Sequence, residues 1–151
     1  MRIERTRDIL DHARKFHRMI ADAYHQKGEH ADHIRLRMLL DYLELHEKHL
    51  EKTLGEYEEA ASKKILEHWF RQSPCEVKFA ELNQLLAQEN PTEDDIVNLA
   101  VSVDNCMIDL YKSFVNYTDD ENVRALFQDL VSLEEHEQRR MVRDSLRFQD
   151  L

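Results

Sequence analysis

Hydrophobic side chains recur along this chain at steps that alternate between three and four residues, which is the period of a buried helix face. The pattern predicts four long helices, over about 3–27, 30–56, 93–117 and 119–147. The first and second helices are separated by only a few residues, and so are the third and fourth. Each pair is therefore expected to form an antiparallel helical hairpin.

Residues with strong capping tendencies lie at the predicted helix ends. Gly28 fits a left-handed cap that ends the first helix. Thr92 with Asp95 fits a capping box that opens the third helix, and Thr118 with Glu121 fits one that opens the fourth.

The segment 57–92 joins the two hairpins and is expected to be partly helical. Ser73 as an N-cap, Pro74 at the first helical position and Glu76 at the third predict a short helix that runs to about 88. Residues 60–71 either extend the second helix or form another short helix. Trp69 and Phe70 are expected to cover a bundle edge or the interface of a homodimer. The predicted fold is all-α, with residues 1–151 as a single domain (hairpin 3–56, crossover 57–92, hairpin 93–147).

Ionisable residues occupy six inward positions of these helices, where leucine would be expected. The inward series of the second helix is Leu39, Tyr42, His46, His49 and Thr53. The six ionisable residues are His17, His46, His49, Asp104, Glu134 and Glu137. Burying a lone charge costs several kcal/mol or forces neutralisation. These side chains should therefore pair with one another or bind a metal ion.

An internal repeat relates the two hairpins. The first helix aligns with the third after a shift of 87 positions, and the second aligns with the fourth after a shift of 88. These shifts align the ionisable residues in pairs: His17 with Asp104, His46 with Glu134, and His49 with Glu137. Such a register is hard to produce by accident, so it favours a shared role for the six residues.

The first and third helices offer one donor each, and the second and fourth offer an i,i+3 pair of donors each. This is the ligand layout of carboxylate-bridged di-metal bundles. On these residues the chain resembles the ferritin-like superfamily, especially its rubrerythrin-like branch. Tyr24 and Tyr111, each seven residues after the first ligand position, strengthen that resemblance. It implies a ferritin-like four-helix bundle with a mono- or dinuclear non-haem metal centre. A redox-active centre would make the protein an oxidoreductase for O2, peroxide or Fe(II).

The ligand set departs from the family pattern, which places Glu at position 17 and Glu-x-x-His in each pair. Here the pairs are His46-x-x-His49 and Glu134-x-x-Glu137, and Asp104 replaces the usual Glu. One half of the site is thus all imidazole and the other all carboxylate. In this register only Glu134 could bridge two metal ions, and the Cys-x-x-Cys tail of full rubrerythrins is absent.

The types of donor atom restrict which metal ions could bind but do not select a single one. Imidazole suits Fe, Zn, Ni or Cu, and carboxylate suits Fe, Mn or Mg. The resemblance favours Fe, with Zn, Mn, Ni or Cu as alternatives. Two other functions stay open: a non-enzymatic metal-binding or stress-related protein, and a metal-free bundle with a structural or interaction role. In the metal-free bundle, imidazolium–carboxylate salt bridges would replace the metal.

Composition excludes several classes of function. A net charge of −10 argues against nucleic-acid binding, which needs a basic face. No apolar run approaches the roughly 18 residues of a membrane span, and the charged start of the chain has no apolar signal segment. Cys75 and Cys106 are too few for a disulfide framework or a cysteine-based metal site. A cytoplasmic protein is therefore expected.

Overall fold

Four long helices dominate the computed structural model, which describes residues 4–70, 83–84 and 87–149. The elements in chain order are β1 (Glu4–Arg5), α1 (Thr6–Glu29), α2 (Ile34–Ala60), α3 (Lys63–Leu66), β2 (Trp69–Phe70), α4 (Glu93–Tyr117) and α5 (Glu121–Gln149). The two short strands pair antiparallel, with Glu4 opposite Phe70 and Arg5 opposite Trp69.

The long helices form two hairpins that pack into one bundle. α1 packs along α2, α4 packs along α5, and α2 contacts both helices of the second hairpin. The buried apolar side chains of all four helices make a single core, since each helix presents one apolar stripe to the others. The predicted all-α bundle of two helical hairpins is confirmed. Among the described residues, no helix combines the length and the hydropathy needed to cross a membrane.

Two of the predicted helix caps lie at the start of α4 and at the end of α1. The Asp95 N–H donates to the Thr92 hydroxyl and the Thr92 N–H donates to the Asp95 carboxylate, so the predicted capping box is confirmed. Gly28 lies within α1, which continues to Glu29, and no described residue has a positive φ. The predicted left-handed cap at Gly28 is therefore wrong.

Asp120 caps α5, although the sequence predicted a box between Thr118 and Glu121. The Asp120 carboxylate accepts hydrogen bonds from the N–H groups of Asn122 and Val123 at 2.9 and 3.0 Å. The Thr118 hydroxyl instead accepts from the N–H of Asp120 at 3.2 Å. A carboxylate two residues further along the chain thus takes the capping role, because it reaches two otherwise unpaired N–H groups of the first turn.

This difference can be tested by alanine substitution at neighbouring positions. We expect Asp120→Ala to lower the melting temperature by about 2–4 °C, because the first turn of α5 loses its acceptor. Glu121→Ala removes the other member of the predicted box and should lower it by less than half as much. Thermal melts followed by circular dichroism measure both, and equal shifts would contradict the assignment of Asp120 as the cap.

The crossover is described only in part. α2 runs past its predicted end to Ala60, and a separate short helix, α3, follows. The predicted helix from Ser73 to about 88 lies largely outside the described residues. Phe70 is buried, with its ring centroid 4.8 Å from that of Phe114, so it covers a bundle edge as expected. Trp69 is exposed beneath the Arg5 guanidinium, and the homodimer stays a prediction.

The inward face of α2 is displaced from the predicted series. Its buried residues are Leu36, Leu39, Leu40, Leu43, His46, Glu47, Leu50 and Leu54, so the predicted Leu39 and His46 are buried. Tyr42 and Thr53 are only partly buried. The predicted inward position of His49 is wrong, since 52% of its side chain is exposed. Six of these eight buried residues are leucines, so this face removes more apolar surface from water than the predicted one.

Candidate metal centre

Ionisable side chains from all four long helices meet in the apolar core near the middle of the bundle. The fully or almost fully buried members are His17 from α1, His46 and Glu47 from α2, Asp104 from α4 and Glu134 from α5. Four of the six predicted residues therefore lie in this buried cluster. Glu137 is buried one turn further along α5.

His17 lies between two carboxylates. Its Nδ1 is 2.5 Å from Oε2 of Glu47, and its Nε2 is 2.9 Å from Oε1 of Glu134. When both carboxyl groups are ionised, each of these contacts needs a hydrogen on the ring nitrogen, so His17 is then an imidazolium. Burial opposes this charge, but the carboxylates of Glu134 and Glu47 outweigh burial and hold the pKa of His17 well above its ordinary value. The imidazolium thus links the second helices of both hairpins.

A second buried pair joins α2 to α4. His46 Nε2 lies 3.3 Å from Oδ2 of Asp104. Burial opposes the charge on His46, but the hydrogen bond to Asp104 prevails and raises the pKa of His46. Burial raises the pKa of Asp104. One donor atom each of His46, Glu47 and Asp104 lie within 4.8 Å of one another, a spacing at which the three could hold a metal ion.

Three of the four buried carboxylates each have one oxygen without a partner among the described residues. These atoms are Glu47 Oε1, Asp104 Oδ1 and Glu134 Oε2. A buried carboxylate oxygen that accepts no hydrogen bond is costly. The three oxygens therefore fit a site completed by a cation or by ordered water.

The charges of this core do not cancel among its own side chains. When ionised, the central carboxylates of Glu47, Asp104 and Glu134 carry three negative charges, whereas His17 and His46 supply at most two positive charges. Glu137, which is also buried, pairs with the largely exposed His49 at the edge of the cluster. One negative charge is left in excess in an apolar interior, where an unbalanced charge is costly. The core is therefore electrostatically suited to a cation.

Tyr24 and Tyr111 occupy equivalent places in the two hairpins and are fully buried. Neither hydroxyl has a hydrogen-bond partner among the described residues. Burial, followed by the charge of nearby carboxylates including Glu47, raises the pKa of both phenols well above the ordinary value. Both hydroxyls thus keep their protons and remain available as donors.

The predicted pair of His49 and Glu137 lies at the edge of the cluster. His49 Nε2 is 3.5 Å from Oε1 of Glu137, and the imidazole is largely exposed while the carboxylate is largely buried. This contact connects the core to the surface. It does not bring His49 to the centre of the bundle, where the sequence had placed it.

Glu47 is the central residue that the sequence analysis missed. A signal was present: a hairpin packs as a unit, so one shift should relate both of its helices to the second hairpin. The shift of 87 that aligns His17 with Asp104 also aligns Glu47 with Glu134. With this shift each hairpin contributes a carboxylate to the centre of the bundle. In the predicted register the carboxylates came from the second hairpin only.

Comparison with known proteins supports the fold. The chain matches no protein-family model and no curated protein. It resembles the crystal structure of a proposed ferritin-like diiron-carboxylate protein from Thermotoga maritima, with a TM-score of 0.65 and 14% sequence identity. The match covers 96% of this chain and 97% of that protein. At such low identity the likeness shows the fold alone, and the fold of this chain is ferritin-like.

Proposed function

We propose that this ferritin-like protein binds a divalent transition-metal ion in its buried cluster. The observation that carries the proposal is the set of three buried carboxylates, each with an unpartnered oxygen, in a core with an excess negative charge. Metal binding would satisfy both the oxygens and the charge, which apolar packing cannot do.

The residues proposed to hold the metal differ in part from those expected from sequence. His46, Glu47 and Asp104 form the core of the set because their donor atoms already lie close together. Glu134 supplies a further carboxylate, and Glu137 lies one turn away on the same helix. His49 is left out because its side chain is largely exposed.

Iron is the proposed metal, with Mn and Zn as alternatives that suit the same mixture of imidazole and carboxylate donors. The structural neighbour is described as a diiron-carboxylate protein, which supports iron. When bound, iron would supply redox chemistry toward O2 or peroxide, as in the rubrerythrin-like oxidoreductases that the sequence resembles. The protein's own part would be to exclude bulk water and to keep protons on the hydroxyls of Tyr24 and Tyr111. A cytoplasmic location and a homodimer belong to the same proposal.

A metal-free bundle with a structural or interaction role is the second candidate. It is favoured by the two buried ion pairs, His17 between Glu47 and Glu134, and His46 with Asp104. These pairs already balance most of the charge that a metal would otherwise neutralise.

Metal titration of untagged, chelator-treated protein separates the two candidates. We expect Fe(II) under anaerobic conditions, Mn(II) or Zn(II) to bind and to stabilise the fold, by about 2.7 kcal/mol at a free metal concentration 100 times the dissociation constant. Calorimetry and thermal melts measure these effects.

A double variant and a matched control locate the metal. His46→Leu with Asp104→Leu removes both members of one ion pair, so neither is stranded, and metal affinity should fall at least 100-fold. The exposed His49→Leu should bind as wild type does. If wild type binds none of the three metals and chelator does not change its melting temperature, the metal-binding proposal is wrong and the metal-free bundle is favoured.

A further inference from the structure

We propose that metal ions enter the core between α2 and α5, where the exposed imidazole of His49 captures them before they reach the buried cluster. This inference rests on the proposed metal-binding function. It gives a role to His49, which is not among the residues proposed to hold the bound ion.

Glu137 is the point at which the buried cluster comes nearest to solvent. Its side chain is 10% exposed. The other ionisable side chains of the cluster are at most 3% exposed: His17, His46, Glu47, Asp104 and Glu134. A cation arriving from solvent therefore meets the cluster first at Glu137.

His49 on α2 is the solvent-exposed partner of this carboxylate. Its Nε2 lies 3.5 Å from Oε1 of Glu137, and 52% of the His49 side chain is exposed. Imidazole and carboxylate are both ligands of divalent transition metals. The pair therefore offers one donor group in solvent and a second at the edge of the core.

Donor atoms continue inward from Glu137 to the centre of the bundle. Glu134 lies three residues earlier on α5, and residues with this spacing share a helix face. Oε2 of Glu134 has no hydrogen-bond partner among the described residues. A cation that leaves water without replacement ligands incurs a large cost. Donors at the surface, at the edge and at the centre lower this cost along the whole path.

Aromatic side chains make the end of the bundle beside β2 a poorer entrance. Phe70, Phe114 and Phe127 are buried, and their ring centroids lie 4.8–5.8 Å apart. Phe127 packs in turn on Tyr111, with the ring centroids 6.2 Å apart. The three phenylalanine rings offer no metal donor, so a cation crossing them would lose its water without compensation.

Rates of metal uptake test the proposal, because a residue used only during entry changes the rates and leaves the equilibrium unchanged. Metal-free protein is mixed rapidly with Zn(II), and the remaining free ion is followed with a zinc-sensitive dye. Release is measured by adding excess chelator to the zinc-loaded protein. In His49→Leu we expect the association and dissociation rate constants each to fall about tenfold, with the same Kd as wild type.

His25 on α1 provides a matched control. Its side chain is 55% exposed, and its Nδ1 contacts a carboxylate oxygen of Glu44 on the neighbouring helix at 2.9 Å. His25→Leu should change neither rate constant. His49→Asp keeps a metal donor at the entrance and should keep the wild-type rates, and His25→Asp measures the effect of the same added charge elsewhere on the surface.

Unchanged rates in His49→Leu, or equal slowing in His25→Leu, would overturn this inference and leave the proposed function standing. Equal slowing in His49→Leu and His49→Asp would do the same, since a donor at the entrance would then have no effect. A weaker affinity of His49→Leu with an unchanged association rate would make His49 a ligand of the bound ion and also overturn it. Failure of wild type to take up Zn(II) overturns the inference, and failure to take up Fe(II) and Mn(II) as well overturns the proposed function.

Discussion

Replacing His17 with leucine should cost about 3–5 kcal/mol of unfolding free energy when the protein is kept metal-free with a chelator. The imidazolium is the shared partner of Glu47 and Glu134, and all three side chains are completely buried. Its loss leaves two carboxylates without a counter-charge in an apolar core. They must then take up protons or admit water, and both are costly.

Removing a carboxylate should be milder than removing the imidazolium. In Glu134→Leu, His17 keeps Glu47 on Nδ1, and the core loses its excess negative charge. We expect less than half the cost of His17→Leu. The triple variant His17→Leu, Glu47→Leu, Glu134→Leu contains none of the three ions and should recover most of the lost stability, because apolar replacement of a whole buried ion group is often neutral or stabilising.

Urea unfolding in chelator, followed by circular dichroism, measures this series. His49→Leu is the matched control, since it removes a mostly exposed imidazole from a comparable contact and should cost less than about 1 kcal/mol. Equal costs for His17→Leu and His49→Leu would show that the central ion pairs do not hold the core together.

The metal-free protein should lose stability as the pH rises above about 6.5. Two neighbouring carboxylates hold the pKa of His17 well above its ordinary value against the opposing effect of burial. Folded His17 therefore keeps a proton that the unfolded chain has released. Its contribution is complete below the unfolded pKa and is lost as the pH rises to the folded pKa, at up to about 1.4 kcal/mol per pH unit. The raised pKa of His46, where the Asp104 hydrogen bond prevails over burial, acts in the same direction.

The triple leucine variant isolates the part of this slope that belongs to His17. It lacks the imidazole and both carboxylate partners but keeps His46 and the exposed His25, whose pKa is also raised, chiefly by its hydrogen bond to Glu44. Unfolding free energies from urea titrations at several pH values above 6.5, all in chelator, should fall more steeply in wild type than in the triple variant. Parallel slopes would contradict an imidazolium at His17.

The sequence by itself determined the helices, the two hairpins and the all-α bundle. Helix periodicity, the Thr92–Asp95 capping box and the short connections are local features, and local physics governs them. The sequence also placed His17, His46, Asp104 and Glu134 on inward faces, and all four are buried. Buried charges are conspicuous in a pattern because they occupy positions that leucine would otherwise fill.

Only the tertiary structure decided which neighbouring positions of α2 point to the centre. Adjacent residues on a helix are separated by about 100°, so a wide apolar stripe admits both His46 and Glu47. Packing against the second hairpin selected the series that contains Glu47 and left His49 at the surface. The position of His17 between two carboxylates likewise depends on residues from three helices. Contacts between residues 30 and 117 positions apart in the chain are set by how the hairpins pack, and no local pattern specifies them.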